Sequence, residues 1–560
     1  VRTSRLTTAV LVAVLASGCT SSSDSSDGAA GNEGGREEPP AVETTDPEQP
    51  LTVLADPEAG ESAAAMSSAL FERSPVAVVA REGDRAGVLL GASAAVGLGV
   101  PLLVEPDGGP GSDVVATELS RLGVETVLAV GEADGRGGAP GEDDGAADVE
   151  VVAVPAEPDA VAGATGLELG RPEPVPADAE VAAVAALDPD GPVALQPDGA
   201  RDRPAGEGAD GELPAFERGD PVADTVVLAV EGAESVAAVA TARAAGAAVT
   251  VAEGTDPRAS EAVVEALAGA GSVVALGAGF EQEEGLDWKL ETALTGEQLP
   301  GGGQLLFPGR MLVALYGTPG SGALGVLGEQ PVDAAVQRAR ETAAAYDPLV
   351  DVPVVPAFEI IATVASASAG PDNDYSAEVD IEVIRPWVEA AGEAGLYVVL
   401  DLQPGRTDFV TQAELYRSLL EMPHVGLALD PEWRLGPNEV HLTQIGSVDI
   451  EEVNRVVTWL ADLTRENSLP QKLLVLHQFR LDMIPGRERL QERDELAIMV
   501  HVDGQGAQGA KQATWRTLRE GAPAHLTWGW KNFYDEDLPV LTPEQTIEQV
   551  DPRPELITYQ

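Results

Sequence analysis

Residues 396–430, LYVVLDLQPGRTDFVTQAELYRSLLEMPHVGLALD, hold two short apolar runs, 396–403 and 424–430. Each turns polar at its end, at Asp401 with Gln403 and at Asp430. Runs of this length, bounded by turn residues and spaced by enough chain for a helix, read as strands of an α/β fold. The pattern recurs on both sides, in RMLVALYG (310–317), VPVVPAFEII (352–361), KLLVLHQF (472–479), LAIMVHVDG (496–504) and HLTWGWKN (525–532). Helical segments such as 376–394 and 449–466 lie between them, the second opened by a capping box of Asp449 and Glu452. Seven βα-like units within residues 303–560 predict a (β/α)8 barrel of the TIM type with a weak or missing eighth strand. An open doubly wound sheet is the alternative.

Successive strand residues face opposite sides. One face of these strands is bulky and aliphatic, suited to packing under helices. The other carries small residues and ends in a polar group: Ala314 then Tyr316, Ala357 then Glu359, Ala428 then Asp430, Ala497 then His501 and Asp503, Gly529 then Lys531. Asp401 with Gln403, and His477, end two more strands in this way. Polar groups gathered at C-terminal strand ends mark the side on which barrel enzymes place their sites. The long polar loops 362–375 and 431–448 lie on that side too.

Three functions are open to such a mouth. The first is a glycan-active hydrolase, because glycoside cleavage needs a protonated carboxyl beside an ionised one. Glu359, Asp401 and Asp430 are its catalytic candidates, with Glu359 as the acid and Asp430 as its partner. Tyr316, Gln403, Glu432, Trp433, Lys531 and Asn532 are the substrate-binding candidates. Trp433, Trp528, Trp530 and Tyr534 are aromatic enough to stack on sugar rings, although Trp528 and Trp530 share the face opposite Lys531 and suit a core role equally. The second is a metal-dependent hydrolase of envelope polymers, with His477, His501 and Asp503 as a two-His, one-carboxylate set. The third is a non-catalytic binding or scaffold protein. The sequence contains no GxSxG elbow and no P-loop, and Gly301–Gly303 reads as a linker. The cofactor is left unassigned by the sequence.

All five His, all seven Tyr and six of the seven Trp follow residue 300. Residues 55–299 are built from Ala, Val, Gly and acid, so chemistry belongs to the second half. With 93 acidic and 34 basic residues the net charge is −59, which opposes binding to nucleic acid or other polyanions. Within 55–299, strand and helix patterns alternate over 75–131 and again over 225–277, with closely similar spacing between the glycines that end the elements. The first copy, Gly83-Asp84-Arg85 followed by GASAAVGLGVPLLVEP (91–106) and LGVETVLAVG (122–131), resembles the cell wall-binding repeat 2 family. That resemblance implies extracellular α/β modules that attach a protein to envelope glycans or related polymers. An acidic, Gly/Pro-rich insert, 132–220, separates the copies and holds one degenerate unit around 179–197. The aromatic and Thr expected after the Asp-Arg pair are replaced by Ala86 to Leu89. Residues 309–537 resemble an unassigned region of actinobacterial envelope lipoproteins, from which no activity follows.

Residues 1–19 run from Arg2 and Arg5 through an apolar stretch, Leu6 to Ala16, to Ser17-Gly18-Cys19. This is the pattern of a secretion signal. Leu15 to Cys19 resembles a lipobox, which implies cleavage before Cys19 and a diacylglyceryl thioether on its sulfur. Two acyl chains suffice for stable anchoring, here on the outer face of the cytoplasmic membrane. Residues 20–54 read as a disordered tether. Cys19 is the single cysteine, so no disulfide forms within the chain.

Overall fold

The strands expected between 310 and 532 all form, and an eighth closes them into a ring. They are β1 (Met311–Gly317), β2 (Val354–Ala365), β3 (Tyr397–Leu402), β4 (Val425–Leu429), β5 (Lys472–Gln478), β6 (Leu496–Val502), β7 (Thr527–Asn532) and β8 (Leu556–Tyr559). Each is parallel to its neighbours, and β8 pairs with both β7 and β1, so the ring is a TIM-type barrel without a free edge. The computed structural model describes residues 39–106, 113–135, 149–199, 209 and 211–560. Cys19 and the segment 1–38 lie outside the described residues.

Alternation along the strands builds two cores. Leu312, Val355, Tyr397, Leu473, Met499 and Leu556 fill the barrel interior. Phe358, Leu400, Leu427, Leu474, Val500 and Ile557 face outward and pack under helices that include Ile381–Glu393 and Ile450–Glu466. Trp530 is fully buried on this outer face, with its ring 5.7 Å from Trp515, and Trp528 lies 6.1 Å from the same ring. The sugar-stacking role considered for both is thereby corrected: their parity along β7 turns them toward a helix. Asn532 shares that parity. Its Oδ1 accepts a hydrogen bond from Trp530 Nε1 at 3.1 Å, so it also stands outside the mouth.

Leu299, Leu306 and Phe307 close the N-terminal end of the barrel by packing on its inner core. Gly301, Gly302 and Gly303 reach this position through three consecutive left-handed conformations, with φ of 90°, 88° and 66°, which side-chain-bearing residues rarely adopt. The buried Arg310 guanidinium donates to the carbonyls of Pro300, Gly302, Leu305 and Leu306 and holds the turn in place. This stretch is a structured plug, not the linker expected from its composition. Arg258 and Lys289, from the preceding half, extend the contact: Arg258 donates to the Asp494 carbonyl at 3.2 Å, and Lys289 pairs with the Asp494 carboxylate at 2.7 Å.

The preceding half contains two four-stranded parallel sheets of matching order. In the first, Leu102–Glu105, Val76–Arg81, Thr126–Val130 and Glu150–Val154 lie side by side. In the second, the order is Ala248–Ala252, Thr225–Val230, Ser272–Leu276 and Leu51–Leu54. The fourth strand comes from the insert in one copy and from the chain before the repeats in the other. Residues 51–54, assigned to the tether on composition, are therefore part of a sheet. Within the insert, Glu173–Val175 and Leu195–Pro197 pair in parallel with the helix Glu180–Ala185 between them in sequence, a minimal βαβ unit. Among the described residues, no helix is long and apolar enough to cross a membrane.

Candidate active site at the barrel mouth

The inward face of each strand turns polar as it nears the C-terminal end of the barrel. β1 brings Tyr316, β2 Glu359, β3 Asp401, β5 His477, β6 His501, β7 Lys531 and β8 Thr558; Asp430, Gln403 and Asp503 follow directly on β4, β3 and β6. All of these are buried. The carboxylates and histidines expected to share one mouth do share it.

His477 is the hub. Its Nε2 lies 2.7 Å from Glu359 Oε1 and 4.0 Å from Asp401 Oδ1, while its Nδ1 lies 3.1 Å from Asp503 Oδ2. Burial opposes a charged ring, but Glu359 and Asp503 outweigh it and raise the His477 pKa well above the ordinary value, so the ring is an imidazolium. Glu359 responds in the opposite sense. Although buried, it is held at about 2 by His477 and is ionised. The acid role expected for Glu359 is thereby corrected, because its cationic partner keeps it deprotonated. Asp503 is likewise lowered: burial is overcome by its hydrogen bond to His477.

The remaining carboxyls move the other way. Burial, reinforced by Asp401, raises Asp430 well above its usual range, and Asp430 Oδ1 also accepts from the Glu432 amide at 3.2 Å. Burial and the neighbouring Glu359 lift Asp401 to about 6 despite a 2.8 Å hydrogen bond from Tyr316 Oη. Glu432, half-buried at the rim, is pushed up to about 7 by burial and then by the charge of Asp503. Lys531 Nζ sits 3.5 Å over the Tyr316 ring, and Gln403 Nε2 reaches Tyr316 Oη at 3.4 Å.

Among the described residues, Glu359, His477 and His501 offer ligand atoms within 4.8 Å of one another. Asp503, expected in that set, instead binds the His477 ring. The triad suits a two-His, one-carboxylate centre in donor type. Both His477 nitrogens, however, already face carboxylates, and His501 Nε2 meets Thr558 Oγ1 at 3.2 Å. His501 itself is lowered to about 3, chiefly by burial, and is neutral.

The two long loops meet above this floor. His441 Nε2 bonds the Tyr375 carbonyl at 2.8 Å, and the His441 ring packs edge-on against Trp433 at 5.4 Å. Glu432 and Trp433 line a cleft of about 420 Å3 with Leu442, Gln444, Ile445 and Arg480. Thr558 escaped the sequence reading because its strand did. Lys511, which donates to the Asp537 carboxylate at 2.6 Å and to the Lys531 carbonyl at 2.7 Å, lies on a helix where nothing in the local pattern singles it out.

No family model matches the chain, and no curated protein matches it. Among solved structures, Cwp6 from Clostridium difficile superposes with a TM-score of 0.30 at 13% identity, covering 63% of this chain and 62% of that one. A likeness this distant carries no functional argument.

Proposed function

We propose that the chain is an envelope-anchored protein whose barrel hydrolyses a glycan, with Glu432 as general acid and Asp503 as the ionised carboxylate near it. The observation that carries this reading is the divergence of these two groups. Glu432 is pushed to about 7 and holds a proton near neutrality, whereas His477 keeps Asp503 charged. Neighbouring carboxyls whose environments drive them apart are the arrangement that acid–base cleavage requires. In this reaction the bond from the anomeric carbon to the bridging oxygen breaks, and the departing oxygen takes the Glu432 proton. A water gives its oxygen to that carbon and its proton to the carboxylate. Glu359 and His477 position Asp503, and Lys531 with Tyr316 forms the floor.

Envelope location rests on the lipobox-like Leu15 to Cys19 and on the repeats, whose resemblance to cell wall-binding modules suits attachment to wall glycan. The experiment is release of reducing ends from purified cell-wall glycan by the full chain, by Glu432→Gln and by Asp503→Asn. Both variants are expected to lose about 10²–10⁴-fold in rate. Full activity in either would overturn the assignment, and no activity in the parent would leave the binding-protein reading in its place. A metal-dependent hydrolase is the second reading, favoured by the convergence of Glu359, His477 and His501. It requires activity to be lost on chelation and restored by a divalent ion.

A further inference from the structure

A second cleft lies at the rim on the C-terminal side of the barrel. Separate from the Trp433 cleft, it measures about 330 Å3 and is lined by Leu324, Glu329, Arg338, Tyr534, Asp535 and Gln560. The first sits on loops that follow β4 and β5, the second on segments that follow β7, β8 and β1. In a closed ring of eight, β4 and β5 stand across from β8 and β1. The clefts therefore lie on opposite sides of the rim that surrounds the polar floor, and that floor carries Asp503, Gln403 and Lys531.

Each cleft holds one aromatic ring in a fixed pose. Tyr534 stacks on Tyr559 with centroids 5.5 Å apart, yet remains 45% exposed, so the support behind it leaves much of the side chain open to a ligand. Trp433 is held edge-on by His441, which is itself bonded to the Tyr375 carbonyl. Side chains immobilised in advance lose little freedom when a ligand stacks on them. The local charge narrows the ligand further. Arg338 pairs with Glu329 and Arg480 with Asp482, while Asp535 and Glu536 add acid to the second cleft. An anionic polymer would meet repulsion at the second cleft and no net positive charge at the first.

We infer that the ligand is an uncharged, linear glycan chain that crosses the barrel mouth, with one segment on Tyr534 and another on Trp433, so that an internal linkage lies over the floor. This rests on the glycan reading above and adds the length, charge and direction of the substrate. A ligand touching both platforms binds through two linked contacts, and its affinity exceeds that of a fragment reaching only one.

The test is binding, carried out in a Glu432→Gln background so that turnover does not intervene. N-acetylglucosamine oligomers of two, four and six units are titrated calorimetrically into the full chain and into Tyr534→Ala, Tyr534→Phe and Trp433→Ala, each checked for an unchanged melting temperature. The six-unit oligomer is expected to bind about tenfold or more tighter than the two-unit one. Tyr534→Ala and Trp433→Ala should each abolish most of that gain, and Tyr534→Phe should retain it. Added salt should leave the affinity unchanged, because the ligand is neutral. Equal affinity for all lengths, or a Tyr534→Ala protein that holds the six-unit oligomer as well as the parent, overturns the crossing chain while leaving the glycan reading intact. Binding at no length overturns both.

Discussion

Replacing His477 with Leu tests the electrostatics on which the site depends. Among the described residues, the ring supplies the only cation paired directly with Glu359 and Asp503, so its loss strands two buried carboxylates. The depression of Glu359 from 4.5 to about 2 corresponds to about 3 kcal/mol at roughly 1.4 kcal/mol per pH unit. Breaking one side of a buried pair typically costs about 3–5 kcal/mol, which agrees. For a domain the size of the barrel, about 3 kcal/mol lowers the melting temperature by roughly 6–12 °C. The pH dependence is more diagnostic. In the parent, the Glu359 contribution is complete above pH 4.5 and is lost as pH falls toward 2. The His477 contribution is complete below 6.5 and is lost as pH climbs through the ring's elevated value. In the variant, burial without a cation raises the carboxylates, so the folded form binds more protons than the unfolded form. Its stability should therefore fall more steeply than the parent's between pH 5 and 6.5, below the range in which the parent's own His477 contribution begins to be lost. Calorimetry or circular dichroism melts at half-unit pH intervals would show it. A variant that melts within 2 °C of the parent, with the same pH slope, would refute the buried imidazolium.

The rate of glycan release should decline as pH rises through about 7, where Glu432 gives up its proton, and Glu432→Gln should flatten that limb; an alkaline limb that survives the substitution would move the acid elsewhere. A fragment of residues 297–560 should melt about 3–12 °C above one of 303–560, because only the longer piece retains Leu299, whose burial contributes about 1.5–3 kcal/mol; equal melting would show that the plug is dispensable. Cys19→Ser should release the protein from membranes or leave the leader attached, as judged by fractionation and mass. Membrane retention with normal cleavage would disprove the lipid anchor.

The barrel was legible because its strands alternate between aliphatic and small residues, a local signal. β8 was not, since LITY is only four residues long and follows the proline-interrupted DPRPE. With it went Thr558, the partner of His501. The strand at 51–54 was also readable in principle, as LTVL, but lay beside a stretch dominated by Pro, Gly and acid. For the site, alternation located the groups and could not assign their charge. Nothing near Glu359 announces that a histidine 118 residues later will donate to it. Asn532 is the converse case: its parity with Trp530 was visible in the sequence and already turned it away from the mouth.

The ring is completed by the strand that comes last in chain order. Until Leu556–Tyr559 inserts, β1 and β7 each present a row of unpaired backbone amides and carbonyls, separated in sequence by more than two hundred residues. A chain emerging from its N-terminus therefore passes through a long interval as an open, sticky crescent, liable to pair with a neighbour's edge. Loss of these few residues should be far more damaging than their size suggests, and a holding chaperone would be most useful in that interval.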